Sequence, residues 1–108
     1  MIVELCVYRC LPGRMPALLK RFETATLGLF AKHGFKPHGF FTSVIGPSAQ
    51  ELTYMLLWDS LAERERCWDS FMADSEWTAA RTASEADGWI VVNAGNQILK
   101  PTAFSPLR

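Results

Sequence analysis

The chain has 108 residues, of which 49% are hydrophobic and 20% charged, and eleven basic side chains balance eleven acidic ones. This length favours one domain, and the apolar fraction is too high for intrinsic disorder. A net charge of zero lacks the positive field of a generic nucleic-acid or anionic-membrane binder, so we expect neither partner. The neutral total conceals a split, because residues 1–50 hold six basic and two acidic groups whereas residues 51–100 hold four and nine.

Targeting and membrane signals are weak throughout the sequence. The first thirteen residues lack a basic leader and a small-residue cleavage site, so they favour a strand over a signal peptide. The longest uncharged stretch, 37–50, is shorter than the roughly 20 apolar residues of a membrane span. Cys6 and Cys10 would lie about 13 Å apart on a strand, beyond disulfide reach. We expect a cytoplasmic protein with reduced thiols and no membrane span.

Residues 2–10 alternate with the period of two that is typical of a strand covered on one side. We assign the odd-numbered side chains to the face beneath the helices and the even-numbered ones to the uncovered face. The even-numbered set is Glu4, Cys6, Tyr8 and Cys10. Helical spacing then predicts one helix from about Arg14 to the stop signal His33-Gly34.

Residues 35–45 and 51–58 predict two antiparallel strands joined by the turn 46–50. Ser60 and Glu63 have the spacing of a capping box, so a helix begins there, with an inner face that includes Leu61, Trp68 and Phe71. A second cap at Asp74 or Ser75 begins a short helix that carries Trp77. Residues 89–99 predict the last strand.

The resulting order β-α-β-β-α-β predicts an α+β, ferredoxin-like protomer with a four-stranded antiparallel sheet and helices on one face. Residues 1–100 form one domain and residues 101–108 a C-terminal tail. On our assignment, Tyr54, Leu56 and Trp58 join the even-numbered residues of the first strand on the uncovered face. A single soluble domain rarely exposes such a patch, which favours a homodimer with two sheets packed face to face. The basic half of one chain would then meet the acidic half of the other.

Several segments resemble the NIPSNAP family of the dimeric α+β barrel superfamily. The resembling motifs are Leu11-Pro12-Gly13, Asp59-Ser60-Leu61-Ala62-Glu63-Arg64, Ala73-Asp74-Ser75-Glu76-Trp77 and the segment 98–107. The resemblance implies a ferredoxin-like protomer that dimerises into a barrel, in a family whose biochemical activity is largely undefined.

The sequence also suggests a ligand site between the two sheets. Glu4, Cys6 and Tyr8 would follow one another at about 7 Å along one strand face. Aromatic walls with a few polar groups are typical of small-molecule pockets and equally of dimer interfaces. The candidate ligand-binding residues are Glu4, Cys6, Tyr8, His38, Phe41, Tyr54, Leu56 and Trp58. We expect a small, mostly apolar or aromatic ligand in the barrel interior.

Two other functions remain open. The resemblance to the wider superfamily permits a cofactor-independent monooxygenase or isomerase, in which Tyr8, His38 or Tyr54 would handle protons. Alternatively, the protein is an interaction module that works through its helical exterior or its tail. We expect no metal site, since His33 and His38 lack a third ligand at a recognised spacing. We also expect no cofactor, although His38 is a possible haem ligand.

Overall fold

The computed structural model describes all 108 residues. Strands β1 (Ile2–Cys10), β2 (Pro37–Thr42), β3 (Glu51–Trp58) and β4 (Val91–Leu99) form one antiparallel sheet in the order β2-β3-β1-β4. The helices are α1 (Met15–Arg21), α2 (Leu27–Lys32), α3 (Leu61–Met72) and α4 (Ser75–Ser84), and their apolar side chains pack against one face of the sheet. The predicted α+β, ferredoxin-like class is confirmed. Residues 100–108 form no helix or strand, and none of the helices has the length and apolar character that a membrane crossing demands.

The predicted first helix contains a π-helical segment, Phe22–Thr26, between α1 and α2. Two threonines lie within it: the hydroxyl of Thr24 donates to the carbonyl of Lys20 at 2.7 Å, and that of Thr26 donates to the carbonyl of Arg21 at 3.3 Å. Such side-chain bonds compete with the regular backbone ladder, and a π turn takes up an extra residue. Arg21 and Phe22, three and four residues after the buried Leu18, are both buried on the inner face of the helix, as regular helical spacing predicts.

The predicted starts of α3 and α4 are confirmed by their caps. The Ser60 hydroxyl accepts from the amide of Glu63 at 3.1 Å, and the Asp74 carboxylate accepts from the amide of Glu76 at 2.8 Å. The predicted inner face of α3 is wrong at Leu61, which is 61% exposed. The first residue of a helix lies at the edge of the packed layer, where the apolar spacing alone does not bury it.

The assignment of the two sheet faces is wrong and must be reversed. In the register of β1 and β3, Cys6 lies opposite Tyr54 and Ile2 opposite Trp58, and such directly paired residues share a face. The Trp58 ring lies 5.0 Å from that of Phe35 in the core beneath the helices. Glu4, Cys6, Tyr8, Tyr54, Leu56 and Trp58 therefore belong to the covered face. Period-two alternation separates two faces without indicating which one the helices cover.

The uncovered face of the sheet is nevertheless apolar. Its central strands carry the odd-numbered side chains of β1 and their partners on β3, none of which belongs to the core cluster. These residues are Val3, Leu5, Val7, Thr53, Met55 and Leu57. Phe41 and Leu99 extend this face toward its two edges and are 52% and 42% exposed. If the sheet of a second protomer covers this face, it therefore contacts these residues and not the ones predicted.

The uneven charge of the two halves of the chain is balanced inside the protomer. Apart from Arg81–Glu85, every ion pair joins a residue of 1–50 to one of 51–108. Lys32 reaches Asp74 at 2.9 Å, for example, and Lys36 lies 3.5 Å from Glu63. The complementary charges that we expected between two chains thus already meet within one.

Candidate functional site between the sheet and the helices

Glu4 is the centre of a buried polar cluster. Its side chain is 1% exposed and accepts four hydrogen bonds. One oxygen accepts from the indole N–H groups of Trp58 and Trp68, each at 3.0 Å. The other accepts from Arg64 at 2.7 Å and from Asn96 at 2.8 Å. The carboxylate thus ties β3, α3 and β4 to β1.

This arrangement makes Glu4 a structural acceptor rather than a free base. Burial opposes its ionisation, but the hydrogen bonds from Arg64, Trp68, Asn96 and Trp58 outweigh burial and lower the pKa of Glu4 below its ordinary value. Both oxygens are occupied by donors, so no lone pair is free for a substrate proton. Glu4 was predicted to bind a ligand, but in this arrangement neither of its oxygens is accessible to one.

Two tyrosines and a cysteine form a second buried group beside Glu4. The hydroxyl of Tyr54, which is fully buried, donates to the hydroxyl of Tyr8 at 2.8 Å. Burial raises the pKa of both phenols, and burial together with the Glu4 charge raises the pKa of the Cys6 thiol to about 12. All three groups therefore hold their protons at neutral pH. Because Tyr8 accepts from Tyr54, its own hydroxyl hydrogen is available to a further acceptor.

Tyr8 reaches the wall of a cleft of about 480 Å³ between the sheet and the helices. Nine of the thirteen lining residues are hydrophobic, and five of these are aromatic: Tyr8, Trp68, Phe71, Trp77 and Trp89. A small inner cavity of about 30 Å³ shares four of these side chains and extends toward Phe22 and Phe30. The larger volume lies within the range of about 300–1,000 Å³ that is usual for small-molecule sites.

Arg21 is the charged side chain most deeply placed in this cleft. It is 5% exposed, and its Nη1 lies 3.3 Å from the Ser84 hydroxyl and 3.4 Å from the Glu85 carboxylate. Its guanidinium carbon lies 5.4 Å from the centre of the Trp77 ring. Burial lowers the pKa of Arg21, and the Glu85 charge offsets part of that effect. Two buried donors at the cleft, Arg21 Nε and Trp77 Nε1, have no hydrogen-bond partner.

The structure brings only some of the predicted site residues together. Of the predicted set, Tyr8 lines the cleft, while Glu4, Cys6, Tyr54, Leu56 and Trp58 are buried behind it. His38 and Phe41 are exposed on β2, so neither lines the cleft. Ligation of haem by His38 stays a prediction. No group of three or more His, Cys, Asp and Glu side chains is placed to hold a metal ion.

Sequence reasoning missed Arg21 as a site residue. Arg21 interrupts the apolar helical stripe between Leu18 and Phe22, and a charged residue in such a stripe is a usable signal. Trp68 and Trp77 were expected in the core, whereas they divide their surface between the core and the cleft.

The fold and the cleft together place this chain in a class of small α+β proteins that have a ferredoxin-like sheet and a pocket between the sheet and the helices. A protein of Nitrosomonas europaea that is proposed to be an antibiotic biosynthesis monooxygenase shares this fold, with a TM-score of 0.63 at 9% identity over 94% of this chain and 98% of that one. The NIPSNAP family model matches residues 3–106. The chain belongs to the NIPSNAP family, which confirms the resemblance seen in the sequence.

Two solved NIPSNAP structures are similar over the whole chain. Atu4242 from Agrobacterium tumefaciens, a family protein with unknown function, is 32% identical with a TM-score of 0.87 and full coverage of both chains. Atu5224 from the same organism is 30% identical with a TM-score of 0.88, covering 99% of this chain and 98% of that one. No curated protein matches the chain.

Proposed function

We propose that this protein binds a small, mostly apolar or aromatic ligand in the cleft between sheet and helices. The aromatic wall of the cleft carries the proposal, since three tryptophans, a phenylalanine and a tyrosine border a volume of about 480 Å³. Such walls contribute through burial of their large apolar surface, at roughly 25 cal/mol per Å². This location differs from the barrel interior that we expected, because the even-numbered face of β1 lies beneath the helices.

Binding is favoured over proton abstraction by the state of the polar groups. The Tyr8 and Tyr54 phenols keep their protons because burial raises their pKa, so they act as hydrogen-bond donors rather than as bases. The Glu4 carboxylate is already filled by four donors. The monooxygenase or isomerase alternative would need an unpaired base at the cleft, whereas His38 lies elsewhere on β2 and the Glu85 carboxylate is paired with Arg21 and Arg81.

The binding proposal can be tested with naphthalene-2-carboxamide, a neutral aromatic probe. We expect calorimetric binding and a rise in unfolding temperature, since a ligand at 100 times its dissociation constant adds about 2.7 kcal/mol of stability. Ala94→Trp, on the cleft wall, should block binding, whereas Ala62→Trp, exposed on α3 away from the cleft, should not. Failure of the folded wild-type protein to bind either this probe or its acid analogue, naphthalene-2-carboxylate, would contradict the proposal and favour the interaction module. Equal binding by Ala94→Trp would place the probe elsewhere.

We also propose that two protomers pair through the uncovered sheet face. Leu5, at the centre of that face, lies opposite Met55, and both are only half-buried in one protomer. Sedimentation should find dimers of the wild-type protein at micromolar concentration. Leu5→Glu should yield folded monomers, while Leu61→Glu, a change of the same kind at an exposed helix start, should leave the dimer intact. A monomeric wild-type protein would refute the pairing.

A cytoplasmic location is supported by the thiols. The three cysteines are free and buried, as is usual for proteins of a reducing compartment.

A further inference from the structure

Arg21 lines the cleft, and three of its five N–H groups have no hydrogen-bond partner within the protein. Its bonds to Ser84 and Glu85 both use Nη1, and both are long, at 3.3 and 3.4 Å. Nε is buried without a partner, and no hydrogen bond of the structure uses Nη2. In an arginine, Nε and Nη2 together form the side edge of the planar guanidinium group. This edge is the one that pairs with the two oxygens of a carboxylate in parallel.

A second unpaired donor belongs to Trp77, the side chain against which Arg21 packs. The indole N–H of Trp77 is buried without a partner, and the Arg21 guanidinium lies over the same indole ring at 5.4 Å. Leaving a buried donor unpaired lowers the stability of the folded state, and more so for a charged group. Both unpaired donors belong to side chains that line the same cleft, so an acceptor bound there would relieve this cost.

The charges around the cleft favour a single negative charge on that acceptor. The charged side chains that line it are Arg21, Arg81 and Glu85, which leave one positive charge in excess. Glu85 lies 3.4 Å from each of the two arginines and offsets one of their charges; Arg81 is 56% exposed and is solvated by water, whereas Arg21 is only 5% exposed. A carboxylate supplies one charge and two coplanar oxygens. A phosphate would bring a second charge that no further cation of the cleft offsets.

We propose that the ligand of this cleft is an apolar or aromatic monocarboxylate whose two oxygens bind the side edge of Arg21 next to the Trp77 indole N–H. The proposal rests on the ligand-binding function above and specifies the chemistry of the ligand. The aromatic or aliphatic body lies against Trp68, Phe71 and Tyr8.

Calorimetry with two probes of nearly equal shape tests this assignment. Naphthalene-2-carboxylate should bind the wild-type protein at least tenfold more tightly than naphthalene-2-carboxamide at neutral pH. Arg21→Gln should reduce the ratio of the two affinities, carboxylate over carboxamide, to near one. The affinity for the carboxamide should stay within about threefold of the wild-type value. Arg21→Lys keeps the charge without the two-donor edge, so it should retain only part of the ratio. Arg66→Gln, an exposed change on α3, should leave the ratio unaltered.

The outcomes separate the two proposals. Equal affinity of the wild-type protein for both probes would overturn the carboxylate assignment and leave the binding function standing. Failure of both probes to bind the folded protein would overturn the binding function itself. A tenfold preference that persists in Arg21→Gln would show that Arg21 does not hold the carboxylate. Should Arg21→Gln fail to fold, the wild-type ratio and the Arg21→Lys ratio still decide the assignment.

Discussion

Replacement of Glu4 by glutamine tests whether the buried carboxylate holds the sheet to α3. Glutamine keeps the shape, and its carbonyl oxygen can still accept from Trp58 and Trp68. Its amide N–H groups, however, would face the donors of Arg64 and Asn96, which now lie 2.7 and 2.8 Å from the carboxylate. Two hydrogen bonds to a charged acceptor are lost by this change.

The expected loss follows from these two bonds. Hydrogen bonds to charged groups contribute about 1.5–3 kcal/mol each. The Arg64 side chain is 29% exposed and can turn partly to water, and removing a buried charge restores some solvation energy, so the sum is reduced. We expect Glu4→Gln to lower the free energy of unfolding by about 2–3 kcal/mol.

Urea unfolding followed by circular dichroism, at one protein concentration, measures this loss. Glu65→Gln is the matched control, because Glu65 is exposed on α3 and forms no hydrogen bond or ion pair, and its effect should stay within about 0.5 kcal/mol. The Glu4 loss should be complete above pH 4.5, the ordinary pKa of the group, and should shrink as the pH falls through the lowered pKa of the folded state. A loss no larger than that of the control, or one independent of pH, would refute the structural role of Glu4.

Three further outcomes can be measured on the same protein. Ser60→Ala removes the cap of α3 and should cost about 1 kcal/mol in urea unfolding, and an unchanged midpoint would contradict the capping role. Gly34→Ala should cost about 1–2 kcal/mol, because Gly34 follows α2 with a φ of +83°; a neutral effect would argue against that backbone geometry. Asp74→Asn keeps a cap for α4 but loses the ion pair with Lys32. Hydrogen bonds from Lys32 and His33 lower the pKa of Asp74. The destabilisation by Asp74→Asn should therefore be complete above pH 3.8 and should shrink as the pH falls below that value toward the lowered pKa of the folded state, and a pH-independent effect would exclude the ion pair as its cause.

Much of the fold follows from the sequence because local chemistry specifies it. The caps at Ser60 and Asp74 and the Gly34 stop are short-range signals, and the structure places helix ends at each of them. The strand order also follows from the βαββαβ pattern. The covered face of the sheet did not follow, since β1 is apolar on both faces and Glu4 appeared too polar for the core. Its four donors lie on β3, α3 and β4, far away in sequence, so their convergence is visible only in the fold.

The candidate site was predicted less completely than the fold. Tyr8 was identified, whereas Arg21 was passed over as an ordinary helix residue. Its spacing from Leu18 places it on the inner face of the helix, but its partners Ser84, Glu85 and Trp77 lie far away in sequence, so the cleft that they form with Arg21 is visible only in the fold.

The strand order β2-β3-β1-β4 alternates between the two halves of the chain, since β1 and β2 come from residues 1–50 and β3 and β4 from residues 51–108. No two strands of the same half are neighbours. During synthesis, therefore, no strand of this sheet can pair until residues beyond 50 have left the ribosome. Until then the emerging segment carries a net positive charge, and the partner strands arrive within a segment of the opposite sign. Cutting the chain in the exposed loop before Glu51 would yield two oppositely charged fragments, each of which needs the other to complete a sheet.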